Sequence, residues 1–363
     1  MPTKPIVTAR PPGSASSHVN ISPGERERLA RAADADRLPR AFGRPLVRGA
    51  IRSEAEDFVV DEQLSFVLSG EGEHLYLHVR KSGQNTRWVA KQLARRCGVA
   101  PRAVGYAGLK DRHAVASQWF SVHLPGMPDP DVNALEIEGV EVIECVRHNA
   151  KLRTGALSGN RFRLLIRELA GDRDALAARL ATFGKQVIPN FFGAQRFGHG
   201  GGNLDLLTGS DLRLSREARS FGLSALRSAL FNAWLAGRID DDSWRCTLDG
   251  EIGFRRAEGR FVHTSKVETD ELVEPTGLLW GCGDNQSTGV ALARESAFIG
   301  GFADTRDLLV QHDVRMLRRS LWAHPVDFSF DLRGDALELR FTLARGQFAT
   351  AVIRELGEFF DAA

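Results

Sequence analysis

The residue best placed to do chemistry is an aspartate between two cations. Asp111 lies in the segment Ala107-Gly108-Leu109-Lys110-Asp111-Arg112. Positive charges at Lys110 and Arg112 favour the ionised carboxylate, and Gly108 permits backbone conformations that bulkier residues resist. An ionised, positioned carboxylate can act as a nucleophile or a base. Taken alone, the same pattern also fits a loop aspartate in a surface ion pair.

Three further side chains are candidates for a binding pocket. Asn160 follows a glycine and precedes a predicted strand, which is typical of a turn residue. Phe58 and Phe348 would each ordinarily be core aromatics, and stacking on a nucleic-acid base is the functional alternative. Spacing alone leaves these alternatives open.

A glycine-rich stretch at 197–203 invites comparison with phosphate-binding loops. No Gly-Lys-Ser/Thr follows it, and it lacks the strand-to-helix context of a dinucleotide-binding turn. We therefore predict a structural turn that contributes at most a contact to a phosphate backbone.

The charge is segregated along the chain, although the formal net charge is only +2. Residues 80–112 include nine basic residues and one acid, Asp111, and residues 147–163 include five basic residues and no acid. Between them, residues 129–144 carry six acids and no base. Two basic segments in one fold could neutralise phosphates, whereas a solvated basic face on the helix at 86–97 is the simpler interpretation of either alone.

Composition argues against several classes of protein. The four cysteines are far apart, and the histidines lack ligand spacing, so neither a metal site nor a disulfide framework is expected. No apolar run is long enough to span a bilayer. The N-terminus lacks the apolar region of a secretory signal. We therefore expect a cytoplasmic protein that binds no metal.

Alternating residues predict the strands that would position these side chains. Period-two patterns occur at 74–80, 118–124, 161–169 and 337–343. A helix is predicted to begin at Asn85 or Thr86 and to end before Gly98, and another is predicted at 348–360. Together these elements favour an α+β fold with a one-sided antiparallel sheet.

The chain divides into three predicted regions. Residues 1–42 resemble a flexible tail with a short charged stretch at 25–40. Residues 187–323 are loop-rich and contain helical patterns such as 223–236. Because the closing strand resembles the early region, we predict a domain of 43–186 plus 324–363 into which 187–323 is inserted.

Five segments, in order, carry a resemblance to a known family. They are EDFVV (56–60), AGLKD (107–111), RTGALSGN (153–160), PNFFGAQRFG (189–198) and FTLARGQFAT (341–350). The chain resembles the TruD family of tRNA pseudouridine synthases from about Leu38 onward. In the last segment the family often has Pro and Ser or Tyr where this chain has Ala344 and Gln347.

The resemblance implies a V-shaped protein with a pseudouridine synthase catalytic domain, an antiparallel sheet with helices, and an inserted α/β TRUD domain. It also implies that Asp111 is the nucleophile and that Phe58, Asn160 and Phe348 shape a uridine pocket. The expected reaction is cofactor-free isomerisation of uridine in tRNA, at position 13 in the D-arm region, by a monomer. A tRNA-binding or folding protein and a metal-dependent nuclease are the alternatives from other classes.

Overall fold

The computed structural model describes residues 20–131, 135–208, 214–266 and 272–362, and its elements lie within those ranges. The strands are β1 (Val47–Ile51), β2 (Phe58–Leu64), β3 (His74–Lys81), β4 (Val104–Tyr106), β5 (Val115–His123), β6 (Val140–His148), β7 (Leu157–Gly171), β8 (Ile188–Pro189), β9 (Ile252–Arg255), β10 (Arg260–His263), β11 (Thr276–Leu279), β12 (Leu317–Ser320), β13 (Trp322–Ala323), β14 (Val326–Arg333), β15 (Ala336–Ala344) and β16 (Gly357–Asp361). The helices are α1 (Pro23–Ala33), α2 (Thr86–Arg96), α3 (Arg173–Phe183), α4 (Gly202–Thr208), α5 (Arg216–Asp240), α6 (Gly289–Gly300), α7 (Ala303–Gln311) and α8 (Ala349–Ile353).

A ten-stranded sheet joins the early and late parts of the chain. Its main order is β14-β15-β7-β2-β5-β3-β6, with β4 paired to β5 and with β1 between β7 and β16. The long strand β7 pairs antiparallel with β15, β2 and β1. Late strands thus complete a sheet that the early strands begin. Together with the helices, this sheet confirms the predicted α+β class.

The predicted strands and the first predicted helix are present. The four alternating segments fall in β3, β5, β7 and β15. Asn85 caps α2 by accepting a hydrogen bond from the Trp88 amide at 2.9 Å, and Gly98 has φ +64° just beyond the helix end. The one-sided antiparallel description needs correction, since β5 is buried on both faces and the β2–β5 and β1–β16 pairs are parallel.

The predicted helix at 348–360 is wrong over its second half. Helix α8 ends at Ile353, and β16 then pairs in parallel with β1. A Cβ at Gly357 would lie 2.6 Å from the Val47 carbonyl oxygen, so this close approach of the two strands requires glycine. A contact with a strand some 300 residues earlier overrides local helical preference, and no local pattern reports it.

Residues 20–42, expected to belong to a flexible tail, instead pack against the rest of the protein. Helix α1 lies on α5, and Leu29 is 1% exposed. The Glu25 carboxylate accepts hydrogen bonds from the Asp304 and Thr305 amides at the start of α7, both at 2.9 Å. The segment is largely polar, so its composition does not indicate the narrow apolar face of the helix.

Small elements build the middle of the chain. This region contains the antiparallel pairs β9–β10 and β11–β12 and the helices α4 to α7. The buried side of α5 forms the centre of its apolar core. The pair β8–β13 brings residues 188–189 beside 322–323, near both ends of the predicted insertion. The domain boundaries themselves stay a prediction. In the described ranges, no helix is long and apolar enough to cross a membrane.

Candidate functional site

A cleft of about 1540 Å³ collects all four residues singled out from the sequence. Asp111, Phe58, Asn160 and Phe348 all line it. Its walls combine residues of the large sheet with residues of the middle region such as Phe192. Strands and loops far apart in sequence thus converge on one concave surface, which is the usual form of a ligand site.

The loop that carries Asp111 is fixed by buried hydrogen bonds. Lys81, which is fully buried at the end of β3, donates to the Asp111 carbonyl oxygen at 2.6 Å and to the Gln84 carbonyl at 2.8 Å. Thr86 accepts from the Lys110 amide at 2.9 Å, and Gln118 donates to the Gly108 carbonyl at 2.5 Å. The backbone of the loop is therefore held by three different elements.

The cation beside the Asp111 carboxylate is Arg52. Its guanidinium lies 3.4 Å from Asp111 Oδ2, forms a second ion pair of 2.6 Å with Asp361, and covers the Phe58 ring at 4.1 Å. The expectation that Lys110 and Arg112 stabilise the carboxylate is therefore corrected. Arg112 donates instead to the Gly83 carbonyl at 2.8 Å.

Lys110 belongs to a buried polar cluster next to the carboxylate. Its ammonium pairs with Glu62 at 2.9 Å and contacts the side-chain oxygen of Asn160. Glu62 is also held by the Trp119 amide at 3.2 Å. Asn160 is not a turn residue but lies within β7, between Glu62 of β2 and Leu343 of β15. The sheet therefore sets the direction of its amide.

The two aromatic candidates occupy different walls of the cleft. Phe58 is 5% exposed and meets Phe162 edge to face, with ring centroids 6.3 Å apart. Phe348 is partly buried at the N-cap of α8, and its ring centroid lies 5.7 Å from that of Phe192. Both residues line the cleft, and an aromatic ring in such a position can hold a base by stacking.

Sequence reasoning missed Arg52, Glu62 and Lys81. The last two had a detectable signal, because they continue the buried alternation of their strands: Phe58 and Val60 precede Glu62, and Leu77 and Val79 precede Lys81. A charged residue at an apolar position must find a partner. Arg52 has φ +58°, but nothing in its local sequence indicates the contact with Asp111.

Burial changes the acid–base properties of Lys81. Desolvation lowers its pKa to about 8, with Asp111 acting in the opposite direction and Lys110 reinforcing the decrease. The ammonium donates to two carbonyl oxygens, and either charge state can make these bonds. Lys81 is thus suited to hold backbone in place.

The basic segments of the sequence lie mainly outside the cleft. Of their residues, Lys110 lines it, whereas Arg87, Lys91 and Arg95 are exposed on α2. The glycine-rich stretch at 197–203 forms short turns before and into α4, with Gly198, Gly200 and Gly201 at positive φ. Across the described ranges, no three His, Cys, Asp or Glu side chains are grouped so that they could hold a metal ion.

Comparison with known proteins gives one consistent result. The family model described as tRNA pseudouridine synthase D (TruD) matches residues 41–208 and 206–356. A protein named tRNA pseudouridine synthase D from Methylococcus capsulatus is 46% identical over 336 residues, covering 89% of this chain and 95% of its own. One of the same name from Xanthomonas campestris pv. campestris is 43% identical over 359 residues, covering 91% and 97%.

A solved structure agrees on the fold. The crystal structure of a protein from Methanosarcina mazei, titled as tRNA pseudouridine synthase D (TruD), superposes with a TM-score of 0.64. The match covers 89% of this chain and 96% of that one at 19% sequence identity.

Proposed function

Because this chain belongs to the TruD family of tRNA pseudouridine synthases, we propose that it isomerises a uridine of tRNA to pseudouridine, with Asp111 as the reacting carboxylate. The observation that carries the proposal is the Asp111–Arg52 ion pair inside a cleft that also holds Phe58, Asn160 and Phe348. A carboxylate held in this way is oriented and open to a ligand.

The chemistry requires the nucleotide to leave its stack, since the glycosidic bond is otherwise out of reach of a side chain. The N1–C1′ bond breaks, the uracil turns while it is held, and a C5–C1′ bond forms. The C5 proton leaves and N1 gains a proton, so the atoms and the oxidation state are conserved. The stoichiometry therefore requires no cofactor.

Asp111 would start the reaction in one of three ways: attack on C1′, attack on C6, or removal of a ribose proton. Arg52 holds the carboxylate from one side, and Lys81 holds its backbone. The Lys110–Glu62 pair fixes Asn160, whose amide nitrogen is the group available for a hydrogen bond to the uridine. Phe58 and Phe348 would retain the detached base.

We propose uridine 13, in the D-arm region, as the target, and a monomer in the cytoplasm as the active form. The support for this position is the sequence resemblance to the bacterial enzymes of the family. Mapping pseudouridine in tRNA from cells with and without the protein tests it. Loss of the modification at another position alone would contradict the assignment.

The role of Asp111 is tested by comparing Asp111→Asn with the parent on unmodified tRNA. We expect no detectable pseudouridine from the variant, and a rate close to that of the parent would refute the assignment. Asp331→Asn is a suitable control, because Asp331 pairs with Arg333 on an exposed strand outside the cleft. If deletion phenotypes are rescued by Asp111→Asn, the alternative of a tRNA-binding or folding protein is favoured.

A further inference from the structure

Two arginines lie close to the ring of Phe192, which packs against Phe348. The guanidinium carbon of Arg319 is 4.1 Å from the centroid of Phe192, and that of Arg196 is 5.3 Å from it. Arg196 is also 6.0 Å from the centroid of Phe348. One positive charge is therefore placed next to Phe348, a residue of the proposed uridine pocket, and the second lies over the neighbouring Phe192 ring.

Neither arginine has a carboxylate partner among the ion pairs of the described residues. Arg319 donates to the carbonyl and side-chain oxygens of Asn190, at 3.2 and 2.6 Å, and Arg196 donates to the Ser224 hydroxyl at 3.1 Å. The Nε atoms of both are buried without a hydrogen-bond partner. By contrast, the adjacent Arg318 pairs with Glu295 at 2.9 Å.

This arrangement leaves positive charge uncompensated. Burial lowers the pKa of both guanidinium groups, and the pKa of Arg319 falls to about 9, with Arg196 adding repulsion. Buried charges ordinarily carry a counter-charge and satisfied hydrogen bonds. Here an anion supplied by a ligand would provide both.

The cleft gives such an anion access. Arg196, Phe192 and Gly346 line it. Arg319 is not itself a lining residue, but a Cβ placed on Gly346 would lie 3.4 Å from its Nη1, so Arg319 reaches the cleft wall at Gly346. Arg319 Nη1 donates to no acceptor in the described part of the chain, which leaves this atom for a ligand.

We propose that Arg196 and Arg319 together bind one phosphate of the RNA backbone, in a linkage next to the uridine held by Phe348. The inference rests on the proposed function, which supplies the RNA. Guanidinium groups suit a phosphate because their planar N–H donors match its oxygens and keep their charge. A base stacked on Phe348 would leave its neighbouring phosphodiester beside these two cations.

The test uses tRNA in which one phosphate flanking the target uridine is replaced by an uncharged methylphosphonate, with each position made separately. Binding is measured with Asp111→Asn protein to prevent turnover. We expect neutralisation at one of the two positions to weaken binding about tenfold, as for loss of a charge-assisted hydrogen bond. When Arg319→Gln or Arg196→Gln is combined with Asp111→Asn, the same neutralisation should cause little further loss of affinity for the tRNA.

Salt dependence provides an independent readout. Because the two arginines share one phosphate, the double variant Arg196→Gln/Arg319→Gln should lower the slope of log Kd against log salt by roughly 0.7 to 0.9, the value for one phosphate contact, and each single variant should lower it by part of that. Arg319→Lys keeps a charge and should retain most of the slope. Arg227→Gln is the matched control, because Arg227 is another half-buried arginine without a carboxylate partner in the described chain, but it binds the Leu279 and Arg315 carbonyls away from the cleft wall.

Either of two results would overturn the inference. The first is that neither methylphosphonate weakens binding by the protein that retains both arginines. The second is that the methylphosphonate weakens binding by the arginine variants as much as it weakens binding by that protein. Thermal melting shows whether a variant is folded, and the phosphate comparison is made within each protein. Failure of the proposed function would appear differently, as a parent protein that forms no pseudouridine. Binding could still be measured in that case.

Discussion

At the scale of single residues, Arg52 serves two parts of the site at once. It pairs with Asp111 and Asp361, and its guanidinium plane covers the face of Phe58. One side chain thereby fixes both the carboxylate that would react and an aromatic wall that would hold the base. Loss of Arg52 should disturb orientation more than binding.

We predict that Arg52→Met lowers the single-turnover rate on tRNA at least about tenfold, since misplacing a reacting group by an ångström has effects of that order or larger. The tRNA affinity should change much less, and Arg52→Lys should recover part of the rate. Arg48→Met, at an exposed position of β1, is the control. Equal rates for Arg52→Met and Arg48→Met would contradict the role.

Lys81 gives a prediction for pH. Its folded-state pKa, about 8, lies below its ordinary value of 10.5. Between these values the unfolded chain binds more protons than the folded protein, so the contribution of Lys81 to stability increases as pH rises from 8 to 10.5. Below pH 8 the full penalty for burying the charge is present.

The measurement is urea unfolding of the parent and Lys81→Met at pH 7, 8, 9 and 10. Groups that do not interact with Lys81 titrate equally in both proteins, so the difference reports on Lys81 and its immediate neighbours. We expect the parent to gain stability relative to the variant as pH rises. A constant difference across this range would show that the ammonium is not destabilised by burial.

The sequence identified the four candidate residues better than it identified their contacts. Asp111 stood out by its charged neighbours, but the true partner, Arg52, comes from a distant loop. Asn160 was expected in a turn because a glycine precedes it, whereas two neighbouring strands keep it within a sheet. The functional roles of Asp111, Asn160, Phe58 and Phe348 stay proposals.

At the scale of elements, the junction of β7 with β15 positions Asn160. A Cβ on Gly159 would lie 2.2 Å from the Leu343 carbonyl oxygen, so the two strands meet there without room for a side chain. Gly159 and Asn160 are neighbours, and movement of one strand would move the Asn160 amide away from Lys110.

Gly159→Ala should therefore lower the free energy of unfolding by about 1–3 kcal/mol, as overpacking does, and reduce activity beyond the loss in stability. Gly237→Ala is the control: this residue lies in α5 with nothing within 4 Å of its would-be Cβ. It should stabilise by about 0.5–1 kcal/mol. Chemical denaturation and single-turnover assays measure both effects.

Local patterns predicted the elements that local forces control. Alternation located β3 and β15, and an N-cap with a C-terminal glycine located α2. The prediction for the segment after α8 failed because its conformation depends on the pairing of β16 with β1. These two strands are too far apart in the sequence for any local pattern to contain both.

At the scale of the whole molecule, residues 20–42 connect two regions. Helix α1 contacts α5 and α7, while the Pro39 carbonyl accepts from Arg354 at 3.0 Å and the Ala41 amide donates to Glu355 at 2.8 Å. A segment that composition described as a tail is part of the folded structure.

We predict that Glu25→Ala lowers the free energy of unfolding by about 2–4 kcal/mol, because the Asp304 and Thr305 amides would lose their shared acceptor. Glu27→Ala, at an exposed position of the same helix, should have little effect. Urea denaturation of the two variants provides the comparison. Equal stability would show that these hydrogen bonds do not stabilise the fold.

The pairing of β1 with β16 also has a consequence for biosynthesis. Arg52 follows β1 directly, yet its partner Asp361 and the edge that completes β1 emerge from the ribosome about 300 residues later. The nascent chain must keep β1 unpaired on that side until residues 357–361 have been synthesised. A message truncated shortly before codon 357 would therefore yield a protein that has Asp111 and Arg52 but lacks Asp361 and the strand that pairs with β1.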